Sequence, residues 1–433
     1  MQLNWNYKYT DIHGGVHMFT LPQGKSIDVR LFSNMLDYST QSASYKPLWL
    51  MGILEEVKKG NQKIDFKTIG CHMVSKVWYP ILHCKLSFGY QDSLPKIVIN
   101  LNNKLAIKPD EKVNHIFNTL MEMEEKELFK EIKVLFDMVP YRLLSPFYKV
   151  EDKNFNRGIR EETARDNGAF YKFIEEGRTI LIGNEWFDYM SANQVIIEAW
   201  IEHSMIYYLQ KKNPNVPAIP LKIKPPDKRD LNDATKLWKY YGAYNPLRDI
   251  YINKDFSDQT MEQYGSLSLD HFLPWSFVLH DEVWNLLPSF KNINSSKSND
   301  LPSLEVYLKD YCNLQYDLFK FIRDYPHQGK SIKEMKKLME DYLHIMPAGN
   351  AFGNKSKEIE EQERAWYQIG EDKFKDCLRG TVEPLYQIAY NQGYEIWICK
   401  EKVMYEELAG TFEDRDIVTI AEEVESIYKS EKQ

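Results

Sequence analysis

The sequence has 433 residues, of which 43% are hydrophobic and 27% are charged, a balance typical of globular proteins and not of disordered chains. At roughly 150 residues per domain, this length predicts two or three domains. The net charge of −8 argues against indiscriminate binding of nucleic acid over the whole surface. It does not exclude a local basic groove, because salt screens charges beyond about 10 Å.

The five cysteines are spread along the chain and include no Cys-x-x-Cys pair. Scattered thiols of this kind are typical of a reduced, cytoplasmic protein and argue against a disulfide framework or a zinc knuckle. The first residues lack the apolar run of a signal peptide, and no apolar segment reaches the ~18 residues of a membrane span. We therefore expect a cytoplasmic protein without membrane contact.

Residues 1–150 are predicted to form an N-terminal domain that is mixed but largely helical. Apolar residues recur at helical spacing after position 46, and a second helix is predicted to begin near Asp65. This pair, at residues 46–82, has the outline of a helix-turn-helix, and two helices of an ordinary bundle are the alternative interpretation. Residues 83–101 are predicted to be strand or loop, and residues 109–147 to be helical.

Residues 151–244 are predicted to form a helical middle region. Its polar start, residues 151–168, is predicted to be a linker or an exposed loop. A short hairpin with Gly177 at its turn follows. The next helix is predicted to be capped by Ser191 and ended by Pro214.

Two further regions complete the predicted domain organisation. Residues 218–241 carry six basic and three acidic side chains, which predicts either a phosphate-facing surface or a solvated lysine face. A compact core is predicted at residues 245–310. Residues 311–433 are predicted to form a C-terminal helical region, which includes helices at residues 329–346 and 416–431.

The predicted core combines two strand-like segments with the start of a helix. "SLSLDH" alternates as a strand does and ends in Asp270 and His271, "WNLLPSF" is the second apolar run, and "NINSSKSND" resembles a turn entering a helix. Closed on one another, these elements bring Asp270, His271 and Asn294 to one point. Asp270 and Asn294 offer oxygen ligands for Mg²⁺, and the imidazole of His271 is suited to general base catalysis near neutral pH.

This arrangement resembles the HNH (ββα-metal) nuclease motif, including the HNH cores of RNA-guided CRISPR nucleases and of bacterial restriction and anti-phage proteins. Asn285 lies fourteen positions after His271, and Asn294 follows nine positions later. The resemblance implies that His271 is the general base, that Asn285 braces the loop holding it, and that Asp270 and Asn294 bind the metal. Asn in the last position makes this an HNN variant, which favours Mg²⁺ or Mn²⁺ over softer metals. Lys297 is either a contact to the scissile-strand phosphate or a solvated lysine.

The predicted fold class is α+β: a mostly helical, multi-domain chain with an embedded ββα-metal core. The predicted function is metal-dependent hydrolysis of phosphodiester bonds in DNA, in bacterial defence or restriction. The alternatives are an HNH nuclease acting on RNA and a nucleic-acid-binding sensor with an inactive nuclease core. The sequence has no GxxxxGK[ST] motif, so any ATP-driven step is expected from a protein partner such as an ATPase encoded nearby.

Overall fold

The computed structural model describes residues 21–36, 42–151, 153–226, 231–324, 340–346 and 369–400. The chain divides into two compact units, Met1–Asp227 and Lys228–Gln433. The finer division at residues 150, 244 and 310 stays a prediction. The fold is mostly helical with a few small sheets, as the sequence predicted. Within the described part of the chain, no helix is long and apolar enough to cross a membrane.

The first unit contains ten α-helices and one small antiparallel sheet among its described residues. Its helices are α1 (Val29–Ser33), α2 (Tyr45–Lys58), α3 (Phe66–Trp78), α4 (Leu94–Leu105), α5 (Val113–Glu122), α6 (Glu125–Ile132), α7 (Val139–Arg142), α8 (Phe155–Arg165), α9 (Asn184–Ala192) and α10 (Gln194–Lys212). Its strands are β1 (Lys63–Asp65), β2 (Tyr171–Ile174) and β3 (Thr179–Ile182), in the order β1-β3-β2. Short 3-10 and π turns span Asn34–Leu36, Tyr79–His83, Lys133–Phe136, Glu175–Gly177 and Ile219–Lys222.

The helical pair near residues 46–82 is α2 and α3. Asp65 caps α3 by accepting a hydrogen bond from the Thr68 backbone N–H at 2.8 Å, so the predicted start is confirmed. A Cβ on Gly52 would lie 2.9 Å from the Ile69 side chain, which shows how closely the two helices approach. Most residues of α3 are buried. This burial favours the bundle interpretation, because a recognition helix must expose a face to the DNA groove.

Two segments predicted to be irregular contain helices. Residues 84–93 are irregular, as predicted, but α4 begins at Leu94, has a proline in its first turn and buries Ile97 and Leu101 on one face. The predicted linker at residues 151–168 contains α8, which is capped by Asn154. The linker prediction was wrong because α8 buries only a narrow stripe, so polar residues dominate its sequence.

The hairpin around Gly177 is confirmed. Strands β2 and β3 pair antiparallel, and Gly177 adopts a φ of 80° in the turn between them, a conformation that glycine adopts without strain. The predicted N-cap at Ser191 is wrong, because this residue lies inside α9 and α10 begins at Gln194.

The basic stretch at residues 218–241 does not form a continuous lysine face among the residues described. Lys222 is fully buried, and Lys224 donates to Glu202 at 2.6 Å. Lys236 pairs with an aspartate one turn earlier on its own helix. Residues 227–230 lie outside the described part of the chain.

The second unit contains the predicted core. Its helices are α11 (Asn232–Gly242), α12 (Asp258–Tyr264), α13 (Trp275–Val278), α14 (Lys291–Lys297), α15 (Leu304–Asp324) and α16 (Glu371–Asn391). Its strands are β4 (Arg248–Asp249), β5 (Lys254–Asp255), β6 (Leu267–His271), β7 (Leu286–Phe290), β8 (Leu301–Pro302) and β9 (Ile396–Trp397). Short 3-10 turns span Val283–Asn285 and Tyr342–Ile345. The helix predicted at 416–431 and much of the one at 329–346 lie outside the described residues.

The predicted ββα arrangement is present in β6, β7 and α14. The two strands pair antiparallel, with Asp270 opposite Leu287 and His271 opposite Leu286. Helix α15 supports this layer: the Phe272 and Tyr311 rings stack with their centroids 3.9 Å apart. Apolar packing against α15 thus helps to hold the core together.

Candidate active site

Asp270 lies near the end of β6, and its carboxylate is buried against two hydrogen-bond donors. The Tyr251 hydroxyl donates to Asp270 Oδ2 at 2.5 Å. Lys297 Nζ lies 3.2 Å from Oδ1 and 3.1 Å from Oδ2 of the same carboxylate. The buried negative charge is therefore balanced by a buried ammonium, an arrangement that interior charges require.

Lys297 is fully buried, so the interpretation of this residue as a solvated lysine is wrong. Besides its ion pair with Asp270, its ammonium donates to the backbone carbonyl of His271 at 2.8 Å. A contact between Lys297 and a substrate phosphate stays a prediction, and it requires the ammonium to leave Asp270.

Asp249 is a second buried carboxylate near this point, and no motif in the sequence indicates it. It accepts hydrogen bonds from the backbone N–H groups of Tyr251 at 2.7 Å and Phe290 at 2.8 Å, and from the Ser289 hydroxyl at 2.8 Å. Burial, with a smaller contribution from the charge of Asp270, raises the pKa of Asp249 to about 6. These bonds fasten β4 to β7 and so place Tyr251 beside Asp270.

His271, the next residue on β6, contacts a different partner. Its Nε2 lies 2.8 Å from Oδ1 of Asp281, and 7% of its surface is exposed. Adjacent strand residues point to opposite faces, which is why Asp270 and His271 serve separate partners. Asp281 was missed because it lies in a loop whose path no sequence periodicity predicts.

Asn285 is fully buried, and it forms hydrogen bonds with the backbone immediately after His271. Its Oδ1 accepts from the Leu273 backbone N–H at 2.8 Å, and its Nδ2 donates to the Leu273 carbonyl at 2.9 Å. Its own carbonyl accepts from the Phe272 N–H at 2.9 Å. Three hydrogen bonds from one asparagine thus fix the turn that follows His271.

Asn294 lies on α14, where its amide bridges to β6. Nδ2 donates to the Ser268 hydroxyl at 2.9 Å and to the Leu269 carbonyl at 3.0 Å. Residues three apart on a helix are neighbours, so Asn294 lies on the same face as Lys297 and hence faces the Asp270 side of the strand. Its Oδ1 accepts no hydrogen bond from the residues described, which leaves this oxygen available as a ligand.

Residues 249–303 match the family model described as HNH endonuclease. This segment belongs to the HNH endonuclease family. Comparisons with curated proteins and with solved structures found no match to the chain. The HNH domain implies a hydrolase that acts on nucleic acid, and nucleases of this family generally depend on a divalent metal ion.

The oxygen donors of the HNH domain fit a hard divalent cation. The Asp270 carboxylate and the Asn294 amide oxygen are of the type that such a cation takes, and a cation on Asp270 would replace the contacts of Tyr251 and Lys297 with its oxygens. Among the described residues, no three His, Cys, Asp or Glu side chains converge closely enough to hold a metal ion. Mg²⁺ tolerates so few protein ligands, because it keeps several waters and is often completed by substrate phosphate.

The loop beside His271 is rich in titratable groups. Burial lowers the pKa of His280, and the negative charges of Glu282 and Asp281 oppose this shift. Glu282 accepts hydrogen bonds from the Trp284 indole and from His344 Nδ1, the latter at 2.9 Å. Asp281 thus contacts His271 and the neighbouring Glu282 contacts His344, so each of these two carboxylates faces an imidazole.

Replacing Asn285 with alanine should destabilise the HNH domain. The substitution leaves the buried N–H and carbonyl of Leu273 without partners, at a cost of about 1–3 kcal/mol for each group. The measurement is thermal denaturation of the full chain. Asn292→Ala, at an exposed position on α14, is the matched control. Equal melting temperatures for the two variants would show that the hydrogen bonds between Asn285 and Leu273 contribute little to stability.

Proposed function

We propose that the HNH domain hydrolyses phosphodiester bonds in DNA, with His271 as general base and one Mg²⁺ or Mn²⁺ held by Asp270 and Asn294. The observation that supports this proposal is that α14 reaches the Asp270 strand at two points: Asn294 Nδ2 donates to Ser268 and Leu269 of β6, and Lys297 contacts the Asp270 carboxylate. The imidazole occupies the next strand position, and it has its own carboxylate partner.

In this mechanism the protein positions a general base and stabilises the negative charge of the substrate phosphate. His271 accepts a proton from the attacking water, and Asn285 keeps the adjoining turn from moving. Lys297, released from Asp270, contacts a phosphate oxygen of the scissile strand. When bound, a divalent cation supplies Lewis acidity and stabilises the charge that develops on the leaving oxygen.

We assign this activity to bacterial restriction or anti-phage defence, because the motif resembles HNH cores of bacterial defence proteins. The net charge of −8 is consistent with such a role, since weak indiscriminate binding limits damage to host DNA. A protein partner, such as an ATPase encoded nearby, would provide target selection or an energy-driven step.

The test is a cleavage assay with the purified full chain on plasmid, single-stranded DNA and RNA. We expect nicking or cutting of DNA with Mg²⁺ or Mn²⁺ and none with EDTA. In cells, plaque formation by phage should fall with the wild-type chain and not with His271→Ala. Cleavage restricted to RNA would assign the domain to RNA. Salt-dependent binding without cleavage under any divalent metal would identify an inactive core.

A further inference from the structure

We propose that Asp281 is a positioning residue for His271 and that residues 340–346, outside the matched HNH segment, hold Asp281 in place. This inference rests on the proposed role of His271 as general base. The contact that defines it joins His271 Nε2 and Asp281 Oδ1 at 2.8 Å. The Asp281 side chain is 25% exposed, whereas that of His271 is 8% exposed.

A carboxylate at one ring nitrogen determines which nitrogen is basic. In the neutral imidazole, the nitrogen that faces a carboxylate carries the proton, so Nε2 donates and Nδ1 keeps the lone pair. The same carboxylate stabilises the imidazolium that forms when Nδ1 takes a proton from water. Asp281 therefore fixes both the tautomer and the orientation of His271 without contacting the substrate.

The loop that carries Asp281 is clamped from a distant part of the sequence. The Val283 backbone N–H donates to Asp341 Oδ2 at 2.9 Å, and His344 Nδ1 lies 2.9 Å from Glu282 Oε1. Both contacts are made by the two residues that directly follow Asp281, Glu282 and Val283. A surface loop without such contacts would sample many conformations, and each would move the carboxylate away from the ring.

Residues 340–346, the clamping segment, are themselves anchored in the core. Tyr342 is fully buried, and its hydroxyl donates to Gln315 Oε1 at 2.7 Å. Gln315 Nε2 donates in turn to the Leu286 carbonyl at 2.8 Å, on the strand position opposite His271. The segment and the strand thus share one buried side chain of α15, so the positions of His271 and Asp281 are set by the same support.

The primary test is Asp281→Asn in the full chain, measured by steady-state cleavage and by Mn²⁺ binding. General base catalysis contributes about 10²–10⁴-fold, and we expect the loss of positioning to remove about 10–100-fold of this from kcat. KM and Mn²⁺ affinity should stay within about twofold of wild type, and Asp281→Glu should recover part of the rate. Asp258→Asn, at an exposed position on α12, is the matched control. Wild-type kcat in Asp281→Asn, with His271→Ala inactive, would overturn the proposal.

A double variant separates positioning from a structural role. If Asp281 acts through His271, adding Asp281→Asn to His271→Ala should cause no further loss of residual rate. An additional loss of tenfold or more would overturn the assignment. Asp341→Ala should lower kcat at unchanged KM, and should have no effect when Asp281 is already replaced. Wild-type kcat in Asp341→Ala would overturn the role of the clamping segment.

Nitrogen NMR of labelled histidine tests the same proposal without cleavage. The wild-type His271 ring should show a protonated Nε2 and a basic Nδ1, and Asp281→Asn should shift this distribution. An unchanged ring spectrum would overturn the inference. If the wild-type chain cuts no nucleic acid but the spectrum shifts as expected, the positioning contact stands and the proposed nuclease function fails.

Discussion

Replacing His271 with alanine is expected to lower the rate of phosphodiester cleavage by about 10²–10⁴-fold, the usual contribution of a general base. The imidazole is the group that would take the proton from water. Asp281 contacts the ring and cannot take over this role, because its loop is held in place by Asp341. Folding and metal binding should be nearly unchanged, because Asp270 and Asn294 make their contacts without the imidazole. The measurements are plasmid nicking with Mg²⁺, thermal denaturation and Mn²⁺ titration.

The matched control for this variant is His115→Ala, at an exposed position in the first unit. It should cut at the wild-type rate. Continued nicking by cleanly purified His271→Ala would show that another group is the base. A fall in melting temperature of many degrees would instead identify His271 as a structural residue of the core.

Replacing Lys297 with methionine is expected to destabilise the metal-free second unit by about 3–5 kcal/mol, because it leaves the buried Asp270 charge without its ammonium. Methionine keeps most of the side-chain volume, so the loss reports charge and not packing. If Asp270 is a metal ligand, Mg²⁺ or Mn²⁺ should stabilise Lys297→Met more than wild type. The bound cation supplies the missing positive charge, and it no longer competes with the lysine.

Thermal denaturation at increasing cation concentration measures this difference. Lys291→Met, at an exposed position at the start of the same helix, should behave as wild type at every concentration. If the deficit of Lys297→Met is the same with and without the cation, Asp270 does not bind it. This result would leave Asp270 as a purely structural partner of Lys297 and Tyr251.

Local patterns predicted the ββα core well. Alternation placed β6 up to His271, a short apolar run placed β7 up to Phe290, and the Asn- and Ser-rich stretch placed α14. These elements are short, and turn residues mark their ends clearly. Local sequence preferences are therefore enough to predict where they lie. Helix α8 was missed for the converse reason, since a narrow buried stripe leaves a sequence that looks like a polar loop.

The contacts between distant residues of the site were not predictable from local patterns. Tyr251 reaches Asp270 from a separate hairpin, which Asp249 joins to β7. Asp341 reaches the loop of Asp281 from 58 positions further along the chain. No periodicity links such residues, because their contacts exist only after separate elements pack together.

The sequence by itself determined which residues are proposed as reactive groups: an aspartate and a histidine at the end of one strand, and two asparagines at fixed distances after them. Residue type and spacing within one small motif are properties of the local chain. Only the tertiary structure decided that Lys297 is buried on Asp270 and that Asp281 faces His271. Burial and charge pairing depend on groups brought together from distant positions, and a buried charge must find its partner wherever the fold provides one.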